Sequence, residues 1–566
     1  GGQINLASVA GPGEVSAIDF LPTVGTTLGN INVSQGALLD VSADAAGTIR
    51  IRGGQFVIAD ATLSADTVNA NGSPTTLDIK VTGEMSITDT RGLPAMTART
   101  TGTGDAGQIK IESWNLSAST TYQDPSFAPF YLLYTRTEGS GNAGDVSITT
   151  GDLTVRNQAE IRSNGFAFIE SGTGGTGQGG DVTINARNVT LDFTSIVTGD
   201  SLAAASFPEV TGHAGNFRVN GDTLNFKDVV ISTEANVSLT NVQSAGDIIW
   251  NIRDINLKDS AIHAGGARRG GAITLNFDSL FTDFSFFETY TIAGPGGGIT
   301  AQGRSIDLTN GSKFIATTIG NGDAGGISLT ATEQVTLSGR SSANPSPFSE
   351  FSPTGLFSNS FGDFGEGSLG AAGDITVTTP RLTLDTGGRI NSITNSSGRG
   401  GNVTINANVV SMSGEFTGPF YVIEGTILDI GDFRPSGIFT RTIGGGESCS
   451  GVCGNGGNIT MTVGSLTMGA GSQIDSGTSS SGQSGAITIN AGDTISLSGK
   501  LIDGSPVGIL SRTIGTDLDA GSGGNIALTA GQSVTISDGA AVSASSTGPG
   551  NAGNIAINAG QQFEMR

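Results

Sequence analysis

The chain has 566 residues, 90 of them glycine and 16 proline; without a Gly-X-Y period this excludes collagen, and its recurrent clusters of Ile, Val and Thr exclude a disordered chain. A net charge of −23 opposes phosphate backbones and anionic lipid surfaces, so neither nucleic acid nor a membrane surface is an expected partner. No apolar run reaches the roughly 18 residues of a membrane helix, so no membrane span is expected.

The chain opens directly in Gly1-Gly2-Gln3-Ile4-Asn5-Leu6 without a signal peptide. It closes in Gln561-Gln562-Phe563-Glu564-Met565-Arg566. Both ends read as cuts through a repeat array. Between them a short signature recurs: a small residue, glycine, usually Asp or Asn, then alternating apolar residues. Examples are Ala143-Gly144-Asp145-Val146-Ser147-Ile148, Gly400-Gly401-Asn402-Val403-Thr404-Ile405 and Gly523-Gly524-Asn525-Ile526-Ala527-Leu528. Differences between successive anchor glycines give a basic unit of about 25–30 residues, with longer units carrying insertions.

The unit starting at Gly524 shows the plan. Asn525–Thr529 alternates as a strand and Gly531 breaks it. Val534–Ile536 forms a second strand ended by Asp538-Gly539, and Val542–Ala544 forms a third. A unit with one apolar face per strand cannot bury that face alone. Wound into a three-sided coil, it stacks on its neighbours at about 4.8 Å per coil. The predicted fold is therefore all-β: a right-handed parallel β-helix (β-solenoid) with three short strands per coil and loop insertions at one corner. β-Sandwich arrays are the runner-up. Glycines are expected to supply corners with positive φ. The Asp or Asn after the anchor (Asp145, Asp181, Asn216, Asp247, Asp374, Asn402, Asn458, Asn525, Asn554) would stack as a ladder bonding to backbone amides. The alternative reading of that row is a set of calcium ligands; no other cofactor is expected.

Insertions are expected near 115–133, 279–292, 340–354, 415–436 and 500–507. In the last three, a strand ending in Leu337-Ser338-Gly339, Met412-Ser413-Gly414 or Leu497-Ser498-Gly499 leads through prolines to the next strand. Aromatic residues in these segments are the candidate contact residues: Phe127, Phe130, Tyr131, Phe286, Phe287, Phe348, Phe351, Phe420 and Tyr421. The competing reading packs each of them back on the coil. Cys449 and Cys453 are a candidate disulfide, which fits an oxidising compartment. Arg-Thr recurs at Arg99, Arg136, Arg441 and Arg512; these arginines are expected to point outward and pair with carboxylates, with acidic glycans as the alternative partner.

An enzyme is not expected. The chain has two histidines, His213 and His263, and no Asp-Asp pair. Neither histidine has an obvious nucleophile partner, and no phosphate loop, nucleophile elbow or zinc signature is present.

The opening Gly1-Gly2-Gln3-Ile4-Asn5-Leu6-Ala7-Ser8-Val9-Ala10 with Pro12-Gly13-Glu14-Val15, and the Gly-Asn-Ala-Gly-Asn/Asp units that follow, resemble filamentous-haemagglutinin-like exoproteins, especially large cyanobacterial ones. The resemblance covers the whole chain. It implies two-partner secretion, with an outer-membrane transporter as partner and a secreted or cell-surface location in a Gram-negative-type bacterium. The Asn-Pro-Asn-Gly motif of the family's secretion domain is absent from this sequence. On this reading residues 1–46 end a secretion-domain-like region and 47–566 form the continuous repeat. The expected function is the non-catalytic stalk of an adhesin that contacts glycans, surfaces or cells. The alternative is a subunit of an extracellular filament or sheath, in which neighbouring copies are the partners.

Overall fold

A computed structural model describes the chain apart from residues 18–19, 123–129, 159–166, 200–211, 236–242, 341–352, 362–369, 395–396, 416–434, 443–453, 479–480 and 515–520. The described residues form strands and turns, with no helix among them. They fall into two compact units, Gly1–Ala267 and Arg268–Arg566. Each unit is a right-handed parallel β-helix with three strands per coil, every strand pairing in parallel with its equivalent on the next coil.

In the first unit the third strands are Leu38–Asp40, Thr62–Ser64, Met96–Thr97, Phe130–Tyr134, Ala167–Glu170, Thr194–Val197, Val230–Ser232 and Ala261–His263. In the second they are Phe286–Thr291, Lys313–Thr318, Gly355–Ser360, Arg389–Thr394, Ser436–Thr442, Ser472–Thr478, Gly508–Thr513 and Ala541–Ser546. First and second strands often run on as one bent segment, as in Val146–Asn157 and Ile375–Asp385. The alternation read from the sequence sets the register: Ile375, Val403, Ile459, Ile487 and Ile526 stack in one inward row, every one buried. Each such side chain contributes roughly 1.5–3 kcal/mol on burial.

The anchor glycines have a different cause from the one expected. None has a positive φ. They are required because successive coils touch at this corner. A Cβ on Gly401 would overlap the Gly373 carbonyl oxygen, and one on Gly485 would overlap that of Gly457. Positive φ occurs at the other corner, between second and third strands. There Asp60, Asp228, Asp259, Asn310 and Asp538 share the left-handed region with Gly339, Gly414 and Gly499. Asp and Asn tolerate this region better than other non-glycine residues.

The Asp/Asn row forms the expected ladder. The Asp181 amide donates to Asp145 Oδ1 at 2.8 Å, Asn216 to Asp181 at 2.8 Å, and Asp247 to Asn216 at 2.9 Å. In the second unit Asn402 donates to Asp374 at 2.8 Å, and Asn554 to Asn525 at 2.9 Å. Hydroxyls within or immediately after the third strands close the same corner from inside: Thr198, Thr233 and Thr440 donate to the carbonyls of Gly215, Gly246 and Gly457 at 2.5, 2.7 and 2.6 Å.

On the outer face of the first unit, Glu112 accepts from Lys80 and Lys110, both at 2.8 Å. These two hydrogen bonds, Lys110 first, hold its carboxyl at about 2. A folded-state pKa below the unfolded one gives stability that is present above about 4.5 and is lost as pH falls through about 2. The melting temperatures of wild type and Glu112→Gln are therefore expected to differ at pH 6 and to converge towards pH 2. A constant difference would contradict the assignment.

Two expected insertions are corrected: within 115–133, Asn115–Thr120 is a second strand and Phe130–Tyr134 a third, so neither belongs to a loop. Residues 279–292 do not project. Ser279–Asp283 and Phe286–Thr291 are the second and third strands of a regular coil. The aromatic run obscured the alternation, yet Phe287 occupies the same inward row as Phe314 and Leu356.

Candidate contact surfaces

Three insertions leave the second unit at one corner, and each is pinched at its base. Immediately after Gly339, Gly414 and Gly499, whose φ values are 82, 76 and 103°, the chain forms an antiparallel bridge with a returning proline: Arg340 with Pro353, Glu415 with Pro435, and Lys500 with Pro506. The positive φ turns the chain out of the coil and the bridge returns it to the start of the third strand. Coils without an insertion turn this corner tightly, as at Thr386-Gly387 (φ 51 and 88°). Insertions alternate with tight corners along the coils, because an antiparallel neck of two chains needs about twice the 4.8 Å that one coil provides. The Ile502 amide donates to Glu415 Oε1, tying one neck to another. A further insertion lies at a different corner: among the described residues between Gln3–Ala7 and Asn30–Ser34, antiparallel bridges pair Val9 with Leu28 and Val15 with Pro22.

The aromatic candidates separate. Phe130 and Tyr131 begin a third strand, Phe130–Tyr134, and are not on a loop. Tyr131 stacks on Tyr134 with ring centroids 4.2 Å apart, and burial, with the Glu170 charge beside it, raises both phenols. Phe286 is a half-buried third-strand residue. Phe287 is buried and meets the Phe314 ring edge-to-face at 4.9 Å. For Phe287 the reading as a contact residue is thus corrected to core. Phe127, Phe348, Phe351, Phe420, Tyr421, Cys449 and Cys453 lie outside the described residues.

Each recurrent arginine has a carboxylate partner. Arg99 reaches Asp66 at 2.8 Å, and Arg136 reaches buried Glu170 at 3.2 Å. Arg441 and Arg512 converge on Asp475 at 2.5 and 3.0 Å. The Asp475 side chain is 1 % exposed. Sequence reasoning missed Asp475 and Arg389. Arg389 is wholly buried, and its guanidinium and that of Arg441 lie 5.4 and 5.3 Å from the Phe439 ring centroid. Burial, with Arg441 nearby, lowers Arg389 well below its ordinary pKa. All these side chains are on the outward side of the third-strand sheet, but every residue of Arg389–Thr394, Ser436–Thr442 and Ser472–Thr478 is buried. The outward face is enclosed there. A spacing signal existed: Asp475 pairs in register with Phe439, two places before Arg441 on the previous coil.

The outward face of the first strands in the second unit is different. One row runs from Thr274 through Thr300, Ser328, Thr376, Thr404 and Thr460 to Thr488, and continues in Ala527 and Ala556. The parallel row, two residues on, carries only Asn, Gln and Thr, from Asn276 to Asn558. Both rows are half-buried or exposed, and neither carries a charge.

Among the described residues, no group of three His, Cys, Asp or Glu could hold a metal ion, and no helix is long and apolar enough to cross a membrane. No family model matches the chain, and neither does any curated protein or any solved structure.

Proposed function

We propose that this chain is the β-helical scaffold of a secreted cell-surface adhesin, exported by two-partner secretion, that displays insertions for contact with glycans, surfaces or cells and carries out no catalysis. The observation that supports this reading is the shared neck. Three insertions of different length leave one corner through the same glycine and return through the same proline bridge, so the coil continues undisturbed beneath them. A scaffold of this kind separates what holds the fold from what varies at its surface. The resemblance to filamentous-haemagglutinin-like exoproteins supplies the export route and the transporter partner.

The test replaces Gly414–Pro435 with the tight corner Thr-Gly found at residues 386–387, the length set by the register of Asp385 with Ser413 and of Arg389 with Gly437. Removing a pinched loop changes closure entropy only slightly, so the melting temperature should move by no more than a few degrees. Binding of the full chain on an array of neutral and acidic glycans should be lost or reduced at least tenfold. If wild type binds no glycan but forms fibres as its concentration rises, the filament reading replaces this one.

A further inference from the structure

The first-strand face of the second unit has no counterpart in what the fold requires. Stacked strands favour β-branched residues on a pleated surface, which accounts for threonine but not for the absence of charge. The equivalent face of the first unit carries Arg50, Asp78 and Lys110 in one row and Lys80 beside Glu112 in the next, so charges are compatible with this position. In the second unit the same two rows run from Thr274 to Asn558 with none, in a chain of net charge −23. From Thr274 to Thr488 the result is a two-column lattice of hydroxyl and amide groups, one column of which continues in Ala527 and Ala556. Its spacing is set by the coils at about 4.8 Å along the axis, and by two residues of strand, about 6.6 Å, across it.

We propose that this face is a docking surface for an extended, neutral β-linked polysaccharide presented as a fibre or crystallite. Three features of the face favour that occupant. First, an uncharged lattice of donors and acceptors matches a partner that is itself uncharged and rich in hydroxyls. The acidic remainder of the chain repels acidic polymers, nucleic acid and further copies of itself. Second, the face is a repeat and not a pocket, so it suits a partner that also repeats; the sugar rings of an extended β-linked chain advance by nearly the distance of one coil. Third, single exposed hydrogen bonds contribute little, but the same weak contact made on coil after coil accumulates through effective concentration. This inference is independent of the adhesin reading, which concerns the insertions at another corner.

The experiment incubates the full chain with microcrystalline cellulose and, separately, with chitin powder, and measures the fraction retained. The face variant is Thr376→Lys, Thr404→Lys and Thr460→Lys together. The control variant places the same three charges on the neighbouring second-strand face, as Thr383→Lys, Ser411→Lys and Thr467→Lys, which share register across the same coils. All six positions lie outside the core, so both variants should melt with wild type. Retention of wild type and the control variant on at least one solid, with an at least tenfold loss for the face variant, is the expected result. The proposal is overturned if neither solid retains wild type or if the face variant is retained equally. It is also overturned if sedimentation velocity shows that the face pairs two copies of this chain.

Discussion

Gly485→Ala is expected to open its coil, while Gly492→Ala, seven residues later in the same coil, should be almost silent. Neither glycine has a positive φ, so the difference is one of space. A methyl group at residue 485 would overlap the carbonyl oxygen of Gly457 and lie 2.5 Å from its carbon. Both atoms are backbone and cannot rotate away. At residue 492 the nearest atoms are 3.9 and 4.0 Å away, which is ordinary contact. Overpacking typically costs about 1–3 kcal/mol, and a rigid backbone neighbour puts this site at the upper end of that range. Because a solenoid's stability is a sum over neighbouring coils, the damage should be local. Hydrogen exchange would show loss of protection in Ile487–Ala491 and in the paired strand Ile459–Met468, with distant coils unaffected. Equal protection in the two variants would mean that coil contact is not what fixes the anchor glycine.

Asp475→Ala should be the most damaging single removal of a charge. It would leave Arg441, with its side chain 10 % exposed, without its 2.5 Å carboxylate, next to the fully buried Arg389. Removing one partner of a buried pair costs about 3–5 kcal/mol, because the other charge remains desolvated. Arg512 is 31 % exposed and can turn to water, so Arg512→Ala should cost under about 1 kcal/mol. The deciding variant is Asp475→Ala combined with Arg441→Met, which removes the stranded charge and keeps the volume. Protection of Ser472–Thr478 against exchange should largely return in it. If the double variant is as unprotected as Asp475→Ala alone, the loss comes from packing and not from an unpaired charge.

These two sites also show how far the sequence could be read. The glycine signature, the Ile and Val rows and the Asx ladder are local patterns repeated at a fixed interval, and stacking in register turns that repetition directly into structure. The positions of the three necks were legible for the same reason, because each follows the same Leu/Met-Ser-Gly ending. The purpose of the anchor glycine was not legible. Its constraint comes from a backbone atom one coil away, whereas a turn glycine answers to its own φ. The Arg389, Arg441 and Asp475 cluster was hidden because alternation predicts that every second residue of a strand faces water. The third strands at 389–394 and 436–442 are enclosed on both faces. Phe286 and Phe287 were misplaced because a run of aromatics resembles an insertion until its register with Lys313 and Phe314 is known.

The necks have a consequence for heredity. Between the bridged residues lie five residues at 500–506, twelve at 340–353 and nineteen at 415–435, yet the third strand resumes in register each time. A duplication or deletion that falls between a neck's glycine and its proline alters what is displayed without shifting any strand. The same event a few residues away would move a whole row of side chains from the core to the surface. Length variation among descendants of this gene should therefore collect inside the necks, while the coils between them keep their spacing.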